Sequence, residues 1–144
     1  MHTVVQSSGE PADSRRTREQ GGEDVYDLYS RGLKLLASGS PAAAAQLLSR
    51  AAEAEPESQS IREALGRALF GARHYAEAAD RFRSIIEENP AEDFALFGLG
   101  LSLSRMGMFQ AAAEHLALAV AMRPENKDYV SALRHVRATL DSRR

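Results

Sequence analysis

The sequence predicts an all-α fold of stacked helical hairpins, and three observations carry that prediction. Apolar residues recur at helical spacing, as at Leu96, Leu99 and Leu103 and again at Phe109, Ala112, Leu116 and Ala119. The same marks stand 34 residues earlier, at Leu65, Gly66, Leu69, Tyr75, Ala78 and Phe82, and 34 earlier still, at Leu28, Gly32, Leu35, Ala44, Leu48 and Ala51. Each unit closes on a proline, Pro56, Pro90 or Pro124, at the same interval. A fixed period held over three units is a repeat rather than an accident of composition.

Taken in order, residues 1–23 read MHTVVQSSGEPADSRRTREQGGE, with almost nothing to bury. A segment of that composition does not offset its ordering entropy, so disorder is expected there. Its functional alternative is an arm that folds on a partner or lies back on the protein, with Arg15 and Arg16 meeting an acidic patch. The first unit spans 25–58, with helices over about 25–38 and 41–55. Ser40 before Pro41 is a good helix start, because a hydroxyl can accept an orphan amide and proline suits the first helical position.

The second unit spans 59–92, with helices over about 59–72 and 75–88 and Asn89-Pro90 as its stop. The third spans 93–126, with Gly107 between its helices. Residues 127–140 carry Tyr129, Val130, Leu133, Val136 and Leu140 at helical spacing, but Arg134 and Arg137 replace the small and later apolar marks and no second helix follows. This is a capping helix, covering the apolar side of the third unit while Lys127, Arg134 and Arg137 face water. Residues 141–144 are expected to fray.

Small residues let two helices approach closely. Gly32, Gly66 and Gly100 on the first helices face Ala44, Ala78 and Ala112 on the second, while Leu48, Phe82 and Leu116 fill the space between units. The order of small, large and proline positions resembles the tetratricopeptide repeat over residues 25–139. That resemblance implies a right-handed α-solenoid of three hairpins and a capping helix, whose first helices line a concave groove that holds peptides. Departures from the pattern are local: Arg31 takes a usually apolar place, Ile61 rather than Arg62 must make the early apolar contact of the second unit, and Ile85 replaces an alanine.

Groove positions are the first-helix residues spaced i, i+3, i+7 and i+10 that hairpin packing does not use. They are Tyr26, Tyr29, Leu33 and Leu36; Ser60, Glu63, Arg67 and Phe70; and Phe94, Phe97, Leu101 and Ser104, with Asp128, Ser131 and His135 from the cap. An aromatic and leucine surface with one Glu and one Arg at its middle suits an apolar or amphipathic segment. Glu63 and Arg67, four apart, read most simply as an intrahelical ion pair. Many cochaperones of the family hold a peptide carboxylate in a clamp of Lys, Asn and Arg. Here the matching places carry Tyr29, Leu33, Ala64, Phe94 and Gly98, so no chaperone tail of that kind is expected to bind.

The chain of 144 residues, 44% hydrophobic and 26% charged, suits one globular domain. A formal net charge of -2 argues against a nucleic-acid partner. With no cysteine, thiol chemistry and disulfides are excluded. His2, His74, His115 and His135 show no metal-ligand spacing, the glycines of FGLGL lie at helical packing positions, and Ser102 and Ser104 have no identifiable base. No cofactor, metal or catalytic activity is expected. Nor does a signal peptide or membrane anchor follow Arg15, Arg16 and Arg18, so the expected location is the cytoplasm and no membrane insertion is expected. Three functions fit: an adaptor binding a protein segment, a small chaperone masking a secreted or assembling client, and a self-associating scaffold, the last as a homodimer through the groove or the uncapped first unit.

Overall fold

The computed structural model describes residues 24–144, and the disorder expected over residues 1–23 lies outside the described residues. Among the described residues seven helices follow one another: α1 (Val25–Ala37), α2 (Pro41–Ala54), α3 (Gln59–Gly71), α4 (Tyr75–Glu88), α5 (Asp93–Arg105), α6 (Phe109–Met122) and α7 (Lys127–Ser142). Each packs on the next, and the first helices also touch along the series α1, α3, α5 and α7. The result is a right-handed solenoid of three hairpins, α1–α2, α3–α4 and α5–α6, closed by α7.

Turn chemistry sets the hairpins. After α1 the amide of Gly39 donates to the Leu36 carbonyl at 3.1 Å, and that of Ser40 donates to Leu35 at 2.8 Å. Arg73 and His74 do the same toward Phe70 and Leu69, and Gly107 and Met108 toward Ser104 and Leu103. This paired closure satisfies the last helical carbonyls and requires a left-handed residue. Gly39 and Gly107 take it at φ 84° and 80° without strain, whereas Arg73 is forced to φ 69°.

Because Ser40 is committed to that closure at φ -117° and ψ 66°, its hydroxyl makes no cap bond, contrary to the sequence expectation. Side-chain caps appear instead on first helices. Asp24 accepts from the Tyr26 amide, Ser58 from Ile61 and Asn126 from Tyr129, at 3.0, 3.3 and 3.1 Å. At the other end of each hairpin the residue before proline, Glu55, Asn89 or Arg123, leaves the helix at φ near -140°, the extended backbone a following proline demands.

Packing depends on the glycine of each first helix. A Cβ built on Gly32 would lie 2.6 Å from Leu48 Cγ, one on Gly66 would lie 2.8 Å from Phe82 Cζ, and one on Gly100 would lie 2.6 Å from Leu116 Cγ. The large second-helix residues therefore fill a notch in their own hairpin, and do not simply fill the space between units as the sequence suggested. Phe82 does both, because a Cβ on Gly98 of the next unit would lie 2.6 Å from its ring as well. One continuous core joins all three hairpins to Leu133 and Val136 of α7.

Ile61 packs with Leu28 and Ala51, as expected. Arg62 is buried too: its guanidinium reaches Glu88 Oε1 at 2.8 Å and donates to the Glu57 carbonyl at 2.9 Å. In α7, Tyr129, Leu133 and Val136 face inward while Lys127, Arg134 and Arg137 are exposed, and the helix continues past 140 to Ser142. Among the described residues no helix is long and apolar enough to cross a membrane.

Two outcomes follow for urea unfolding. Gly100→Ala sets a methyl against Leu116 and 3.3 Å from the Ala112 carbonyl oxygen, and should lower stability by about 1–3 kcal/mol. Arg73→Gly removes the left-handed strain and should raise stability by about 0.5–1 kcal/mol at an unchanged m-value, since glycine's extra unfolded-state entropy offsets only part of the gain.

Candidate binding groove

On α5, the helical period sets Phe94, Phe97, Leu101 and Ser104 along one face, and the stacking of α3, α5 and α7 places that face at the middle of the inner wall. A cavity of about 140 Å³ opens there between α3 and α5, lined by Arg67, Phe70, Phe82, Phe94, Phe97, Gly98 and Leu101. Its lining is almost wholly apolar. The absence of a side chain at Gly98 lets the Phe82 ring close the bottom, so the residue that locks the second hairpin also forms part of the cavity wall.

A wider trough of about 620 Å³ continues across α5 and α7, sharing Phe97 and Leu101 with the cavity. Polar groups line this part: Ser104, Arg105, Asp128, Ser131, His135 and Thr139. Together the two form one surface, apolar at the second and third units and polar toward the cap.

The aromatic wall is held from behind. Phe82, Phe94, Phe97 and Tyr129 make successive ring contacts at 6.2, 6.1 and 4.7 Å, the first edge-on and the last tilted by 31°. Buried Tyr129 donates its hydroxyl to Asp93 Oδ2 at 2.7 Å, and Arg123 Nε lies 3.5 Å from the same oxygen. Burial, with the Asp93 carboxylate beside it, pushes the Tyr129 hydroxyl above its ordinary pKa, so it remains a donor. That bond fixes the ring on which Phe97 rests.

Of the residues the sequence singled out, Arg67, Phe70, Phe94, Phe97 and Leu101 come together at the cavity, and His135 lines the trough. Glu63 is half-buried; burial raises its pKa, Arg67 opposes that, and Glu92 adds to it. Glu63 and Arg67 do not close to ion-pair distance, so the expected intrahelical pair is absent and Arg67 turns to the cavity instead. At the first unit, Tyr29, Leu33 and Leu36 are half-buried against the core. Tyr26 is 72% exposed. None of these four lines either opening.

Arg105 was missed by the sequence reading. Its guanidinium lies 5.1 Å over the Phe70 ring and 5.7 Å over Tyr75, and it donates to the Tyr75 hydroxyl at 3.1 Å. It stands one turn beyond Leu101 on the same helical face, and that spacing was the available signal. Arg67 and Arg105 thus put two guanidinium groups beside the apolar cavity. Among the described residues no group of His, Asp and Glu side chains gathers as a metal site. His115 Nδ1 lies 2.9 Å from the Ala111 carbonyl, and His74 Nδ1 lies 3.2 Å from Glu77 Oε1.

A family model described as tetratricopeptide repeat matches residues 35–99. No curated protein matches the chain in sequence. Among solved structures, MamA (41-end) from Desulfovibrio magneticus RS-1 superposes with a TM-score of 0.77 at 22% identity, over 82% of this chain and 67% of that one. The first TPR of Spaghetti (RPAP3), bound to HSP90 peptide SRMEEVD, gives 0.75 at 17%, over 81% and 93%. The Sgt2 TPR domain from Aspergillus fumigatus gives 0.74 at 17%, over 81% and 79%. At these identities the likeness is one of fold. The matched segment, the three hairpins at a 34-residue period and this shared architecture give the chain the fold of a tetratricopeptide-repeat domain, three helical hairpins and a C-terminal capping helix.

Proposed function

We propose that the protein is a non-enzymatic interaction module that holds an apolar or amphipathic segment of another protein in its concave groove. The observation that carries this reading is the aromatic cavity at Phe70, Phe94, Phe97 and Leu101, continuous with the trough toward α7. Ring contacts to Tyr129 and Phe82 brace its walls, and a braced site loses less entropy on binding. One large apolar side chain of the ligand fills the cavity. The backbone on the cap side of that anchor meets Ser104, Ser131 and His135 in the trough.

The carboxylate-clamp mode is not the reading favoured here. Tyr29, Leu33, Ala64, Phe94 and Gly98, at the places that would hold a carboxylate, offer no cation, and Ala64 and Gly98 are buried. Arg67 and Arg105 lie elsewhere, beside the apolar cavity, where they suit an acidic residue flanking the apolar anchor.

The test is affinity capture from native extract, read by mass spectrometry, with wild type against Leu101→Asp/Ser104→Asp. Both positions lie on the groove side of α5 and leave the Phe97–Tyr129 contact intact, so the variant should keep its circular dichroism. Two carboxylates on the groove wall should weaken the ligand by at least about tenfold and remove a captured protein. Partners that stay bound to the folded variant would move recognition off the groove. Separately, titration with the peptide SRMEEVD should show no saturable binding up to about 1 mM. Tighter specific binding would overturn the assignment of the groove to apolar anchors.

A further inference from the structure

The outer end of the stack carries a second surface, apart from the groove. Two adjoining troughs of about 710 and 460 Å³ run along the seam of α6 and α7 and share Arg137 and Asp141. Their apolar parts come from Ala113, Ala117 and Val120 on α6 and from Val130, Leu133 and Leu140 on α7. Four arginines border them: Arg134, Arg137, Arg143 and Arg144. The acidic groups there are Glu114 and Asp141, and Asp141 already faces Arg144 at 3.7 Å. Arg143 lies 4.9 Å over the Phe109 ring. Among the described residues Arg134 and Arg137 have no ion-pair partner.

Register shows what is missing at this place. The 34-residue period sets Val130, Arg134 and Arg137 where the third unit has Leu96, Gly100 and Leu103, all buried under α6. Val130 is only half-buried, and among the described residues no helix lies over it as α6 lies over Leu96. A cap that served solubility alone would need a polar outer face and no apolar trough behind it. Nor can a helix settle here as α6 does on α5, since Arg134 fills the glycine notch. A helix that docks on α7 must therefore bring carboxylates to the two arginines.

We propose that the α6–α7 seam is a docking site for an acidic amphipathic helix of another protein. A stripe of small and apolar residues on that helix packs on Ala117, Val120 and Leu140. Carboxylates spaced three or four residues apart beside the stripe pair with Arg134 and Arg137, themselves three apart on α7. A second copy is the poorer occupant by charge, because α1, at the opposite end of the stack, exposes Arg31 and Lys34 against the single carboxylate of Asp27, a net cationic face for head-to-tail stacking.

The probe is a fluorescent synthetic peptide of roughly 20 residues, with Leu and Ala along one helical face and Glu beside them at i and i+4, compared with its Glu→Lys counterpart. Anisotropy should show micromolar binding of the acidic peptide to the full chain, with added helicity in circular dichroism and far weaker binding of the basic one. Arg134→Glu/Arg137→Glu should weaken the acidic peptide about tenfold or more, as should raising salt from about 50 to about 300 mM. Both side chains are exposed, so the variant should fold, and Arg134→Gln/Arg137→Gln should give an intermediate loss. The groove variant Leu101→Asp/Ser104→Asp should leave this binding unchanged, which separates the seam from the groove. Equal binding of the two peptides, no binding up to about 1 mM, or indifference to charge reversal would overturn the inference. Light scattering that shows a dimer dispersed by the charge reversal would make a second copy the occupant and overturn it as well.

Discussion

The whole stack rests on one kind of contact, a large side chain from the second helix of each hairpin pressed onto a glycine of the first. At Gly66 the approach is so close that a single added carbon would lie 2.8 Å from the Phe82 ring. Interior packing is dense and relaxes poorly, so such a contact fixes the distance between helices more firmly than a general apolar interface would. Phe82 is 2% exposed, and burial of a ring that size contributes about 1.5–3 kcal/mol. Because the same ring also abuts Gly98, it joins the second hairpin to the third and fixes where α5 sits relative to α3.

The groove inherits its shape from that constraint. With α5 set against Phe82, the Phe94 and Phe97 rings form a wall and the missing side chain at Gly98 admits the Phe82 ring as its floor. On the far side the wall is braced by Tyr129, whose hydroxyl bond to Asp93 ties α7 to the first residue of α5. Aromatic side chains that would be mobile on an isolated helix are thereby held in fixed orientation. In the proposed reading, that rigidity is what lets a surface of modest area select an apolar anchor.

Charge is distributed differently at the groove and at the α6–α7 seam. Around the groove, Arg67 and Arg105 flank apolar rings, with Glu63 half-buried behind them. At the α6–α7 seam, Arg134 and Arg137 stand over a partly apolar floor. Both are places where a helix of the repeat departs from its own periodic pattern, either by losing a side chain, as at Gly98, or by gaining a charged one, as at Arg134. Departures from local consistency concentrate where a fold is used rather than where it is held together.

The sequence by itself determined the helices, their pairing and the closing helix, because helical periodicity and the recurrence of Gly, Ala and Pro are properties of neighbouring residues along the chain. It also picked out Phe94, Phe97 and Leu101 as one face of α5, since spacing alone orients side chains on a helix, whereas Phe70 of α3 joined them only through the superhelix that the resemblance implied. Several features were decided only by tertiary structure, for reasons that lie between elements. Arg73 is left-handed because the hairpin closure requires it, and Ser40 forgoes its cap for the same closure. Tyr29, Leu33 and Leu36 are half-buried like Phe94, Phe97 and Leu101 of α5, yet only the α5 residues line an opening. Phe82 touches glycines on two different helices, and the brace from Tyr129 to Asp93 and the arginine over Phe70 join residues of separate units. No local pattern encodes such a contact; it exists because stacking brings the helices together.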